Sequence, residues 1–459
     1  MGAERRIRIE ASALDDEGRG VGLAGDRDVS VADLLPGERA EVAIEHMSPH
    51  AARAWGRVVR RSGPASPDRA EPACPAFGEC GGCALQHLAY PAQLAHKRRV
   101  VSRALSRALG PAAPAVADTR PSPKTLGYRS RAKYVAAPQG DTLTLGAFAP
   151  RSHRVVETLG CRVVEPVVGR VARATTGALA ETSLSIYDEV TRAGELRYAI
   201  VRSGTDDTAL VGIVTTSDAR QGEVARAGDA LVAHPEVCGV VWIRNDLRSG
   251  GLLTEDIAPL AGRTTVVDEV GPTTADIDVT AFTQVNREQA RRLYLRAAEL
   301  AEVRAGARAV ELYCGAGAIA LHLAEAGAQV VGVERHEPAV AIARRAADAA
   351  GLGDRARFRA ADAADYLAHA DAGAEDVLVV DPPRKGLSAE ARAAIARAPA
   401  RSLLYMSCNP QSFARDAAAL APSYALELVE PWDLMPGTPQ VEILARFSRR
   451  GPAGPSREA

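Results

Sequence analysis

The chain has 459 residues, 47% hydrophobic and 25% charged, which are the values of a globular protein and not of a disordered one. The net charge is −1, and no apolar run is long enough to cross a bilayer. The start, MGAERRIRIE, lacks the apolar stretch of a secretion signal, and Arg6 stands where a myristoylation site needs Ser or Thr, so a cytoplasmic protein is expected.

Residues 1–62 alternate apolar and polar positions between Gly and Asp turns. VGLAGDRDVSV, ERAEVAIEHM and AWGRVVRRS read as short strands of a small β-barrel. A Pro-, Gly- and Cys-rich stretch follows. Its pattern Cys74-x5-Cys80-x2-Cys83 has glycines at 81 and 82 that allow a tight fold round a metal, and Cys161, after Gly160, is a candidate fourth thiolate. The spacing fits zinc and an iron–sulfur cluster equally. With seven cysteines and no secretory context, a disulfide framework is not expected. Residues 91–109 have helical spacing. From Pro91 to Arg154 there are twelve Lys or Arg against Asp118 and Asp141, a local charge of +10 that suits either a solvated face or a phosphate-binding surface.

Strand-like runs dominate from 125 to 280 (LRYAIVRSG, TALVGIVTT, GVVWIRND), and a long amphipathic helix is expected from Val285. From Arg308 the rhythm is strand, helix, strand: RAVELY, QVVGVE, ARFRAA, DVLVVD, SLLYMS, then YALELVE and VEILARF nearly in succession. This predicts an open α/β sheet closed by a hairpin. The expected division is a barrel over 1–62, a central α+β domain over 63–280, a Rossmann-like domain over 281–448 and a flexible tail over 449–459.

Four strand tips carry the chemistry. After the first, CGAGA supplies Gly315 and Gly317 for a tight turn and close ligand approach, and the second strand ends at Glu334, placed to accept hydrogen bonds from ribose hydroxyls. Position 320 is Ala, so the third glycine of a dinucleotide fingerprint is missing, and S-adenosylmethionine fits as well as or better than a nicotinamide or flavin. The fourth strand ends in DPPRKG, with Asp381 at its tip and Arg384 and Lys385 beyond. The fifth ends in SCNP, which brings the Cys408 thiol to the same edge. A thiolate attacks electron-poor carbon. Added to C6 of uracil, it makes C5 nucleophilic enough to accept a methyl group, after which a base must remove the C5 proton. Glu442 in the final hairpin is a candidate base, and Asp381 is placed to hydrogen-bond the uracil edge.

LVVDPPRKG, LLYMSCNPQSFARD and ELYCGAGAIAL together resemble the RNA uracil-C5 methyltransferases, in the family's order and over about Gly18 to Phe447. The resemblance implies an RNA-binding TRAM barrel at the N-terminus, Cys408 as nucleophile and Glu442 as proton acceptor. It implies S-adenosylmethionine contacts at Gln284 (in VTAFTQVN), Tyr313, Glu334, Asp362 and Asp381, with Phe282 near the site. It also implies that Cys74, Cys80, Cys83 and Cys161 hold a [4Fe–4S] cluster. A monomer acting on RNA is expected, ribosomal RNA favoured over transfer RNA. Tyr128 and Tyr134, beside basic residues, are candidates for RNA contact or core packing. The sequence departs from the family pattern at Met435 and Gln440, where Phe and His are usual, at Ala318 in place of Asn, and at Ser412 in place of Thr. An iron–sulfur oxidoreductase would explain the cysteines but not SCNP, DPPRKG or the barrel; a non-catalytic RNA-binding protein is the other alternative.

Overall fold

The computed structural model describes residues 5–140, 142–247, 256–369 and 377–451. Asp141 of the basic segment, Asp376 at the start of DVLVVD and residues 452–459 of the expected tail lie outside the described residues.

The N-terminal strands Arg6–Glu10, Ala13–Leu14, Gly20–Ala24, Arg27–Ala32, Arg39–Met47 and Arg53–Ser62 form a six-stranded sheet. Alternation turns Ile9, Val29, Val31 and Val42 inward, around Leu34 and Ala54. The sheet curls until its first and third strands meet: a Cβ on Gly22 would lie 2.5 Å from the Glu10 carbonyl oxygen.

The middle of the chain builds a seven-stranded sheet from Arg131–Gln139, Thr142–Phe148, Val155–Glu157, Leu196–Ser203, Ala209–Thr215, Val237–Arg244 and Ile257–Gly262. Helices Pro166–Ala180 and Gln221–Val232 cover one face. Leu196–Ser203 and Ala209–Thr215 are buried at every position, the signature of strands covered on both sides.

The third sheet has seven strands: Arg308–Leu312, Gln329–Glu334, Ala356–Ala360, Val377–Val380, Ser402–Ser407, Tyr424–Trp432 and Glu442–Arg449. In space they run third, second, first, fourth, fifth, seventh, sixth. The first five are parallel and the last two form the expected antiparallel hairpin. Side chains alternate between two cores: Ala309, Val377, Leu404 and Leu444 enter one, Val310, Leu378, Leu403 and Ile443 the other.

Residues 63–280 do not pack as one unit. Helix Tyr90–Leu109 lies against helix Pro410–Leu420, and its Val101, Ala104 and Leu105 belong to a core of the third sheet. The hairpin Thr265–Val270 and Thr273–Asp278 faces both ways, with Val266 in the central core and Val270 and Ile277 in the third sheet's.

Candidate active site

After the first strand of the third sheet the backbone turns through left-handed residues: Tyr313 at φ 62°, Gly315 at φ 53° and Gly317 at φ 84°. Nothing lies within 4 Å of a Cβ built on Gly315, so this glycine leaves open space for a ligand. Gly317 serves packing instead: its Cβ would stand 2.5 Å from the Phe358 ring. Glu311, buried beneath the turn, accepts the Ala320 amide at 2.7 Å and so ties strand to helix. Burial holds its carboxyl well above the usual range. Glu334 at the second tip accepts the Gly315 amide at 3.3 Å and the His336 amide at 2.9 Å, leaving lone pairs for a ligand.

Cys408 stands one residue past Ser407. Asn409 fixes it: its side-chain oxygen accepts the Gln411 amide at 3.0 Å and the Ser412 amide at 3.4 Å, capping helix Pro410–Leu420. Its side-chain nitrogen donates to the Arg384 carbonyl at 3.0 Å, which joins the two motif loops. The Ser412 hydroxyl donates to the Asn409 carbonyl at 3.1 Å, so the hydroxyl retained at this position has a partner. Buried Asp416 braces the second loop, accepting the Leu387 amide at 2.8 Å and the Tyr405 hydroxyl at 2.7 Å. The antiparallel register pairs Ser407 with Ile443, so Glu442 falls beside Cys408.

These groups shape one another's charge. Burial pushes Asp381 up to about 7. Burial, then the charge of Asp381, pushes Glu442 well above the carboxylate range, with Arg384 opposing. Burial, then Glu442, raises the Cys408 thiol to about 11, against the pull of Arg384. Tyr294 packs among these groups, its hydroxyl pushed well up by burial and by Asp381, Glu442 and Glu311.

A cavity of about 1210 Å³ gathers the sites. Gln284, Tyr313, Gly315, Glu334, Asp362, Asp381, Cys408 and Glu442 all line it, and Gly317 does not. Ala318, Met435 and Gln440, the positions that depart from the family pattern, also line it. Phe282 stands at its edge, 75% exposed. Sequence reasoning passed over Glu311, Tyr294 and Asp416. Glu311 was visible as an acid inside an apolar strand and Asp416 as the last residue of LLYMSCNPQSFARD; Tyr294 sits on a helix with no local mark.

Cys74, Cys80, Cys83 and Cys161 come close enough that Cys83 feels the other three thiols, and burial together with their charges raises it to about 11. The Cys74 amide donates to Gln86 Oε1 at 3.0 Å and the Gly82 amide to the Cys80 sulfur at 3.4 Å. Among the described residues, no group of three or more His, Cys, Asp or Glu side chains is arranged to hold a single metal ion. The loop before Glu442 leans on this region. Gly437 accepts the Leu85 amide at 2.8 Å, and its own amide donates to Gln93 at 2.9 Å. The Tyr128 hydroxyl donates to the Pro436 carbonyl at 3.0 Å. Lys97 donates to Asp433 at 2.5 Å and to the Met435 carbonyl at 3.1 Å, with both side chains of the ion pair fully buried.

Within the basic segment Lys97 is buried, while the other paired cations stay at the surface. Lys97, Arg98, Arg103, Arg120, Lys124, Arg151 and Arg154 each pair with a carboxylate. Tyr128 and Tyr134, 3% and 2% exposed, are core residues and not RNA contacts.

A family model described as tRNA (Uracil-5-)-methyltransferase matches residues 276–449. An uncharacterized RNA methyltransferase of Thermosynechococcus vestitus is 34% identical over 449 residues, 97% of this chain and 98% of that protein. One from Geobacter sulfurreducens is 31% identical over 450 residues, 97% of this chain and 90% of its own length. The crystal structure of Pyrococcus abyssi tRNA (uracil-54, C5)-methyltransferase with S-adenosyl-L-homocysteine superposes with a TM-score of 0.76 at 26% identity, over 96% of this chain and 99% of that one. Sheet order, strand-tip cavity and these matches define the class, a Rossmann-like S-adenosylmethionine-dependent methyltransferase. Within that class, the chain belongs to the RNA uracil-C5 methyltransferase family.

Proposed function

We propose that the protein methylates C5 of a uridine in a structured RNA through a transient bond between Cys408 and C6. The observation that carries this is the register that sets Glu442 beside Cys408, with Asp381 on the same cavity wall. S-adenosylmethionine, when bound, supplies an electrophilic methyl group; the open space at Gly315 and the cavity-lining carboxylate of Glu334 fit it, and Gln284, Tyr313 and Asp362 would be further contacts. The Cys408 thiolate adds to C6, and the electron pair of the C5–C6 double bond moves toward C5 and O4. Asp381, with its pKa near 7, retains a proton that it donates toward O4. After methylation Glu442 takes the C5 proton, the double bond re-forms and the sulfur leaves. Arg384 is the cation that favours the thiolate.

Cys74, Cys80, Cys83 and Cys161 would hold a [4Fe–4S] cluster. One observation supports the fit: the four thiols lie close enough that Cys83 feels the charge of the other three, and the Gln86 side chain stands within hydrogen-bond reach of its sulfur. The cluster would brace the loop at Gly437.

The barrel with its cysteines argued for ribosomal RNA. The Pyrococcus abyssi tRNA enzyme matches the chain over its whole architecture, so that argument loses its force, and transfer RNA is the substrate to test first. Purified enzyme with methyl-labelled cofactor should label one RNA class at C5 of uridine. RNA carrying 5-fluorouridine should become covalently attached to wild-type enzyme and not to Cys408→Ala. Absence of that adduct on an RNA the enzyme methylates overturns the mechanism.

A further inference from the structure

Phe282 and Gln284 lie in an unpaired stretch between the hairpin and helix Arg287–Ala301, so neither sheet nor helix holds them in place. The central sheet does. Arg131 Nη1 donates to the Ala281 carbonyl at 2.9 Å and to Thr280 at 3.3 Å. Arg202 Nη1 donates to the same Ala281 carbonyl at 2.6 Å and to Asp278 at 3.2 Å, while its Nη2 reaches the Thr283 hydroxyl at 2.5 Å. The Ser130 amide donates to the Val285 carbonyl at 2.8 Å. The backbone and the Thr283 side chain are therefore tied to the central sheet, while Phe282 and Gln284 line the cavity together with the rest of this stretch. Asp268 completes the arrangement, pairing with Arg202 at 3.2 Å and Arg287 at 2.6 Å.

Two guanidinium groups sharing one carbonyl repel each other; burial, then the Arg202 charge, holds Arg131 down to about 10. A buried cation is poor evidence of a stability device, because desolvation offsets most of what its pairing contributes. What this pair secures is a fixed position for the stretch at the cavity mouth. We propose that Arg131 and Arg202 are positioning residues, through which the central domain sets where Phe282 and Gln284 stand in the catalytic cavity. The proposal rests on the functional reading above and deepens it.

The test uses Arg131, which is less buried than Arg202, in the full chain. In Arg131→Met, amide hydrogen exchange over residues 280–285 should rise several-fold while the third sheet keeps its protection. Arg131→Lys should restore most of that protection. Methyl transfer should fall in Arg131→Met but change little when the same substitution is made in the double variant Phe282→Ala/Gln284→Ala, because the residues it positions are already gone. Unchanged exchange, exchange raised evenly along the chain, or activity losses that simply multiply would each overturn the proposal. If the wild-type enzyme methylates no uridine, the functional reading falls while the exchange result still decides this one.

Discussion

Two regions of this molecule hold thiols raised to about the same pKa of 11, Cys408 and Cys83, and for the same leading reason, burial. They differ in their neighbours. Cys408 faces two carboxyls and one arginine at a strand tip, where the helix cap at Asn409 fixes it. Cys83 faces three other thiols in a Gly-rich loop. An elevated thiol pKa therefore says nothing of role by itself. A lone thiol with acids and a cation beside it is equipped for one round of bond making and breaking, and a thiol among thiols for shared, lasting ligation.

The largest effect that tests this contrast is Cys408→Ala. Methyl transfer should fall by roughly 10⁴-fold or more with RNA affinity kept, as measured by labelled-methyl incorporation and filter binding. Cys83→Ala should instead lower iron content and thermal stability before the chemical step. If Cys83→Ala abolished turnover in a protein that still melted like wild type, the contrast would be wrong. Next is Glu442→Gln, expected to lower kcat by about 10²–10⁴-fold. This variant should also accumulate methylated RNA still bonded to Cys408, visible as a slow band on denaturing gels.

A smaller effect follows from Asp381, whose pKa rises from 3.8 to about 7 on folding. An acid raised on folding adds stability that is full below the unfolded value and is lost as pH rises through the folded one. Melting temperature should therefore decline between pH 4 and pH 7 in the wild type, and Asp381→Asn should flatten that decline. The smallest effect is reversal of the exposed cations Arg98 and Arg154, already paired with Asp118 and Glu79. Exposed pairs are worth about 0–1 kcal/mol, so stability should hardly change.

The strand tips were legible because motif and strand end coincide: DPPRKG and SCNP follow apolar runs, and each landed on the same sheet edge. The glycine turn was half legible. Gly315 opens toward the cavity, but the partner that demands Gly317, Phe358, lies on another strand and leaves no local trace. The partners of the basic segment were not legible where they are remote: Lys97 meets Asp433 across 336 positions. Helix Tyr90–Leu109 was read as a helix, but a helical period does not say which domain its apolar face will join.

That helix has a practical consequence. The family model spans residues 276–449, yet this stretch is not an autonomous piece. Excised alone, it would bare the surface that Val101 and Leu105 cover and lose the cation that pairs with Asp433. The methyl-transferring half of the enzyme is thus finished by an element that the chain supplies before its central domain.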